Sequence, residues 1–174
     1  TGPRRAGPFP TRGARGGTPM PALRGAGDFP GHGRRDLLVR DRAGRLWLYP
    51  IIGTGTFHAR RLVGASGWNA MTAIMGAGDL SGDAKADLLA RDGAGKLWLH
   101  RGNGTGGFAT RVPVGTGWAG MTALVTPGNW DRASGNDVLA RDTEGQMWLY
   151  PGTNAGTFTA PRVIGYGWNG LTIA

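Results

Sequence analysis

The sequence predicts an all-β fold: a β-propeller built from four-stranded antiparallel blades of about fifty residues each. Three observations predict it: an internal repeat, short apolar strands with bulk on both faces, and a backbone crowded with turn formers. The repeat is plainest in the dipeptides Arg40-Asp41, Arg91-Asp92 and Arg141-Asp142, which stand 51 and then 50 residues apart. Each is followed by a turn and then by Leu46-Trp47-Leu48-Tyr49, Leu97-Trp98-Leu99-His100 or Met147-Trp148-Leu149-Tyr150. Gly-Trp pairs come next at Trp68, Trp118 and Trp168, ahead of Met71-Thr72-Ala73-Ile74, Met121-Thr122-Ala123-Leu124 and Leu171-Thr172-Ile173-Ala174. Repetition on this scale means stacked or radial units. With 34 Gly and 11 Pro in 174 residues, those units are short strands joined by turns rather than helices.

Within one repeat the expected strands are Thr72–Met75, Ala86–Arg91, Lys96–Arg101 and Thr110–Val114. The turn Asp92-Gly93-Ala94-Gly95 joins the second and third as a hairpin. The Gly-rich stretch 102–107 joins the third and fourth. Four antiparallel strands in about fifty residues match the size of a propeller blade. In Leu97-Trp98-Leu99-His100 the two Leu face one way and Trp98 the other. Bulk on both faces suits a sheet sandwiched between neighbours. Trp47, Trp98 and Trp148, mid-strand, are therefore expected to pack between blades.

Residues 1–19 read as a degenerate half repeat or linker, rich in Pro, Gly and Arg, in which Gly17 stands where Trp68 should be. Residues 20–174 read as three repeats, approximately 20–70, 71–120 and 121–174. Three blades leave both end blades with an uncovered face, and closed propellers need about four to eight. The expectation is a homodimer or another ring-completing chain, the alternative being a piece of a longer polypeptide.

Composition excludes several classes. Apolar residues make up 40%, and no run approaches membrane-spanning length, so membrane insertion is not expected. The net charge is +9, but many of the Arg residues, such as Arg40, Arg91 and Arg141, fall once per repeat, which argues against specific nucleic-acid binding. The absence of Cys excludes disulfide and Cys-zinc frameworks. His32, His58 and His100 occupy unrelated repeat positions, and Ser is confined to 66, 81 and 134. No repeat-breaking cluster joins a His, a Ser and an Asp, so no enzymatic activity is expected.

The stretch Gly78-Asp79-Leu80-Ser81-Gly82-Asp83-Ala84-Lys85-Ala86-Asp87-Leu88-Leu89 resembles the calcium-loop signature of FG-GAP or VCBS repeats. Such repeats occur in secreted and cell-surface bacterial proteins and in integrin-type propellers. The Gly-Trp pair, its following strand and the Trp-Leu-Tyr strand resemble the tachylectin type of propeller lectin. The resemblance covers residues 20–174 and implies an extracellular, secreted bacterial protein. Calcium takes oxygen ligands supplied from alternating loop positions. Asp79, Ser81, Asp83 and Asp87 offer the most complete set, and Lys85 could add only its carbonyl. The third repeat offers Asn129, Asp131 and Asp137, with Ala133 replacing the middle ligand. The first keeps Asp28 and Asp36, but Pro30 and His32 interrupt it, so no calcium is expected there. Any calcium would be structural.

Trp68, Trp118 and Trp168 follow Gly at a turn, where a ring can be half exposed. With Asn69 and Asn169 beside them, they are the expected sugar-stacking sites. The leading expectation is a carbohydrate-binding module with repeated shallow sites for glycans or cell-surface polysaccharide, gaining from avidity. The alternative is a protein-interaction or scaffolding propeller, the targeting part of a larger secreted toxin or hydrolase.

Overall fold

Residues 27–53 and 56–171 are described in the computed structural model. The half repeat at 1–19, the start of the first repeat at 20–26 and the terminal Thr172-Ile173-Ala174 lie outside them.

Three antiparallel sheets follow one another along the chain. In the first, β1 (Leu37–Arg40) and β2 (Leu46–Tyr49) form a hairpin. A two-residue pair, β3 (Ile51–Ile52) and β4 (Thr56–Phe57), leads on to β5 (Arg61–Gly64), which pairs with β2. The second sheet has the order β6 (Met71–Gly78), β7 (Asp87–Asp92), β8 (Leu97–His100) and β9 (Val112–Gly115). The third repeats it as β10 (Met121–Gly128), β11 (Asp137–Asp142), β12 (Met147–Tyr150) and β13 (Arg162–Gly165). The second and third are four-stranded blades as the repeat predicts, and the first has three described strands.

The first strand runs longer than expected, because its pairing with β7 continues to Gly78 opposite Asp87. The fourth starts later, at Val112, where pairing with Leu99 begins. Pro113 is tolerated there because β9 lies at the edge of its sheet. A register shift recurs at one point in every blade, at Leu46/Trp47, Leu97/Trp98 and Met147/Trp148. Such bulges sharpen the twist.

The core lies between sheets, not within one. Leu38, Leu46, Leu48 and Trp68 of the first blade meet Met71, Leu88 and Ala90 of the second, with Phe29 beside them. Leu89, Leu97, Leu99 and Trp118 meet Val138 and Ala140 of the third blade in the same way. Leu88, Leu89 and Ala90 are consecutive and all buried, so both faces of β7 are covered. That is the signature of a sandwiched sheet. Each buried Leu contributes about 1.5–3 kcal/mol. Polar contacts cross the junctions as well: Thr126 Oγ1 donates to Gly76 O at 2.6 Å.

The mid-strand Trp residues correct one expectation. Trp47, Trp98 and Trp148 are half-buried, and their indole N–H groups bond Asp41, Asp92 and Asp142 at 2.9, 2.8 and 2.8 Å. Arg60 lies 4.2 Å from the Trp47 ring and Arg111 lies 4.1 Å from Trp98. Trp98 also packs against the core of the first junction. The shared role is to staple the strand to its own hairpin. The bulge beside each Trp and the hairpin carboxylate six residues earlier turn the indole edge that way.

Candidate functional site

The Arg-Asp dipeptide organises each blade. Asp92 caps its hairpin: Oδ1 accepts from Ala94 N and Lys96 N, and Oδ2 from Trp98 Nε1. The Trp98 hydrogen bond comes first among the contacts holding its carboxyl below the ordinary range. Arg91 Nη1 donates forward to Trp118 O at 3.0 Å and Met121 O at 2.5 Å. Arg40 does the same to Trp68 and Met71, and Arg141 to Trp168 and Leu171. Arg40 and Arg91 therefore tie a hairpin to the start of the next blade, and Arg141 ties its hairpin to the Trp168 turn.

The Gly-Trp turn belongs to this scaffold. Gly117 has φ 80°, a left-handed conformation that favours glycine, and a short 3₁₀ turn follows at Trp118–Gly120. Trp118 N donates to Gly95 O in its own blade's hairpin, and its ring meets Tyr150 of the next blade at 4.2 Å between centroids. Trp68 meets His100 at 4.8 Å in the same manner. Both rings are buried, which corrects the expectation of half-exposed rings at Trp68 and Trp118. The covering groups come from residues far along the chain, which a reading of the local turn does not capture. Trp168 is partly exposed. Asn69 Nδ2 donates to Arg42 O and Asn169 Nδ2 to Glu144 O, so both amides help fasten the turn to its hairpin.

The Asp loops between first and second strands are closed by their own amides. Asp79 accepts from the N–H groups of Gly82, Asp83 and Ala84. Asp87, fully buried, accepts from Leu80, Ser81 and Gly102. Burial pushes the Asp87 carboxyl up, against the pull of those amides. Asp83 turns instead to Lys85, with Oδ2 at 3.1 Å from Nζ, and that bond holds its carboxyl low.

In the third blade Asp137 repeats the role of Asp87, accepting from Trp130, Asp131 and Gly152. Asp131 accepts from Ala133 N and meets Arg162, and Asn129 Nδ2 donates to Ala133 O. Among the described residues, the one group of three potential His or carboxylate ligands gathered within 4.8 Å is Asp28, His32 and Asp36. They occupy the loop positions of Asp79, Asp83 and Asp87 in the second repeat, with His32 in place of the middle carboxylate. His32 Nδ1 lies 3.4 Å from Asp28 and Nε2 lies 3.1 Å from Asp36, so both ring nitrogens already face carboxylates.

One feature departs from the repeat symmetry. A cleft of about 290 Å³ opens between the Asp loops of the first and second blades. Its polar groups are Asp28, Asp79 and Lys85, and Gly27, Gly78 and Gly104 expose backbone to it. The second junction is bridged at the equivalent place. There Asn136 Nδ2 donates to Ala77 O at 3.1 Å and Asp79 O at 3.0 Å. The Asn154 side chain also presses close: a Cβ added to Gly82 would lie 3.2 Å from its Cγ. Ala86 and Gly104 stand at the repeat positions of Asn136 and Asn154, and their small size leaves the first junction open. At about 290 Å³ the cleft lies just below the usual range of small-molecule pockets.

Residues 28–90 match the FG-GAP-like repeat family. That match spans the first-blade Asp loop through the second-blade strand β7, the stretch that frames the cleft. No curated protein matches the chain by sequence. Among solved structures, the chain is similar to a lectin from Agrocybe aegerita, described for its specific recognition of non-reducing terminal N-acetylglucosamine. The TM-score is 0.56 at 21% identity, covering 83% of this chain and 37% of the lectin. The chain thus spans a little over a third of that lectin's length. At this identity the likeness concerns the fold alone, and it agrees with a propeller.

Proposed function

We propose that this chain is a glycan-binding propeller module, acting by recognition and not by catalysis, in an extracellular bacterial setting. The observation that carries the reading is the cleft between the first two blades. Carboxylates accept hydrogen bonds from sugar hydroxyls, Lys85 donates, and exposed glycine backbone lets a small ring approach closely. The likeness in fold to a lectin that recognises terminal N-acetylglucosamine supports the same ligand class. The buried Trp68 and Trp118 rings are left out of the site, which moves it from the Gly-Trp turns to the Asp loops. Calcium at Asp79, Ser81, Asp83 and Asp87 is a separate proposal, resting on the alternation of those residues. It requires Asp83 to turn away from Lys85.

Titration calorimetry with N-acetylglucosamine, backed by a glycan array, tests the reading. The double variant Ala86→Asn with Gly104→Asn copies the residues of the bridged junction. Asn154 already adopts φ 59° at the position of Gly104, so the backbone tolerates the change. The wild type is expected to bind the sugar and the double variant to remain folded without binding. Undiminished binding by a folded double variant would remove the cleft from the account.

A further inference from the structure

The mid-strand Trp residues carry a second difference between repeats. Arg60 lies 4.2 Å and Arg45 5.3 Å from the centroid of the Trp47 ring. Arg111 lies 4.1 Å and Lys96 4.5 Å from that of Trp98. Lys96 stands at the repeat position of Arg45, and Arg111 at that of Arg60. The third blade has Gln146 and Pro161 at those two positions. Its Trp148 still bonds Asp142 at 2.8 Å. The hairpin staple therefore needs no cation, since the third blade makes it without one. The paired cations are an addition confined to the first two blades.

The added cations face outward. Arg60 and Arg111 are exposed, and neither makes an ion pair with a described carboxylate. Arg45 is drawn to Asp41 at 2.7 Å, so Arg60 is the less committed cation of its pair. Arg60 Nη1 also reaches the Tyr49 hydroxyl, at 3.4 Å. A guanidinium laid on a ring turns its N–H edge sideways, and that fork matches the paired oxygens of an oxyanion. Holding it there beforehand lowers the ordering cost of binding. Charge along the chain is graded in the same sense. Residues 27–70 carry seven Arg against three Asp. Residues 71–120 carry five Lys or Arg against four Asp, and residues 121–171 carry three Arg against four acids. The stacks thus lie in the two blades of net positive charge, where long-range attraction brings in an anion.

We propose that the cation stacks on Trp47 and Trp98 form a docking surface for acidic polysaccharide, with Arg60 and Arg111 each taking a carboxylate or sulfate group. The two stacks stand at equivalent positions of successive blades, so one polymer carrying repeated charges engages both, and weak contacts add. The cations lie on the rings where a nucleic-acid base would otherwise stack, which favours a polysaccharide over single-stranded nucleic acid. None of these residues lines the cleft between the first two blades. This surface is therefore separate from the N-acetylglucosamine site and does not depend on it.

Titration calorimetry of the full chain at pH 7 and low salt tests this, with polygalacturonate, dextran sulfate and duplex DNA as probes. The wild type is expected to bind at least one of the two polysaccharides, and which one identifies the anion as carboxylate or sulfate. Arg60→Gln with Arg111→Gln is expected to weaken that binding about tenfold or more, as loss of charge-assisted hydrogen bonds does. Near-ultraviolet dichroism should report that variant as folded. Arg34→Gln with Arg35→Gln removes the same charge from exposed positions of the first blade outside both stacks, and should weaken binding much less. Equal losses in the two variants would reduce the effect to net charge and overturn the proposal. So would failure to bind either polysaccharide, or binding of DNA that exceeds both and falls with Arg60 and Arg111.

Discussion

His100 stands where the other two blades carry Tyr49 and Tyr150, and this difference makes the first junction sensitive to acid. Its imidazole is buried against Trp68, 4.8 Å between ring centroids, and near Phe108. Burial, aided by the positive charge of Arg111, pushes it down from 6.5 to about 4. Above about pH 6.5 the imidazole is neutral in both folded and unfolded chains and costs nothing. As the pH falls from about 6.5 to about 4, the unfolded chain takes up a proton that the folded chain refuses. Stability is therefore lost across that window. At about 1.36 kcal/mol per unit, the full loss is roughly 3 kcal/mol. His100→Tyr should abolish this component, because a tyrosine does not titrate there. Urea unfolding of both proteins at pH 7, 6, 5 and 4 supplies the comparison, and carboxylates common to both cancel in the difference. Wild type should lose roughly 3 kcal/mol more than the variant between pH 7 and pH 4. Parallel curves would refute the burial argument.

Trp118→Ala removes a buried ring from the second junction and should cost about 3–5 kcal/mol in urea unfolding, whether or not sugar is present. Asp92→Ala leaves Ala94 N, Lys96 N and the Trp98 indole without their acceptor. It should lower the melting temperature more than Asp83→Ala, whose main partner is the exposed Lys85, and should shift Trp fluorescence. If calcium binds the Asp79 loop, millimolar calcium raises the melting temperature and Asp83→Ala removes most of the rise; an unchanged wild-type melting temperature counts against calcium there.

The blades were legible because their signals are local. Arg91-Asp92, the turn after it and the alternation in Leu97-Trp98-Leu99 all act within about ten residues, and the repeat supplies each three times. What escaped the reading depends on partners far along the chain. Trp118 looks like an exposed turn residue until Tyr150 covers it. Arg91 looks like a hairpin marker until it reaches the carbonyls of Trp118 and Met121. The cleft was illegible for another reason: it arises from missing bulk. Ala86 and Gly104 carry no chemistry of their own, and their meaning appears only beside Asn136 and Asn154, one repeat later. Asp28, His32 and Asp36 stand at the positions of Asp79, Asp83 and Asp87, and His32 reads as an interruption there because calcium takes oxygen ligands.

The most direct measurement is a crystal of the chain soaked with N-acetylglucosamine. The account predicts sugar density between the first and second Asp loops, with hydroxyls on Asp28 or Asp79 and the ring against Gly104. Sugar bound elsewhere, or an empty cleft at saturating sugar, would contradict it.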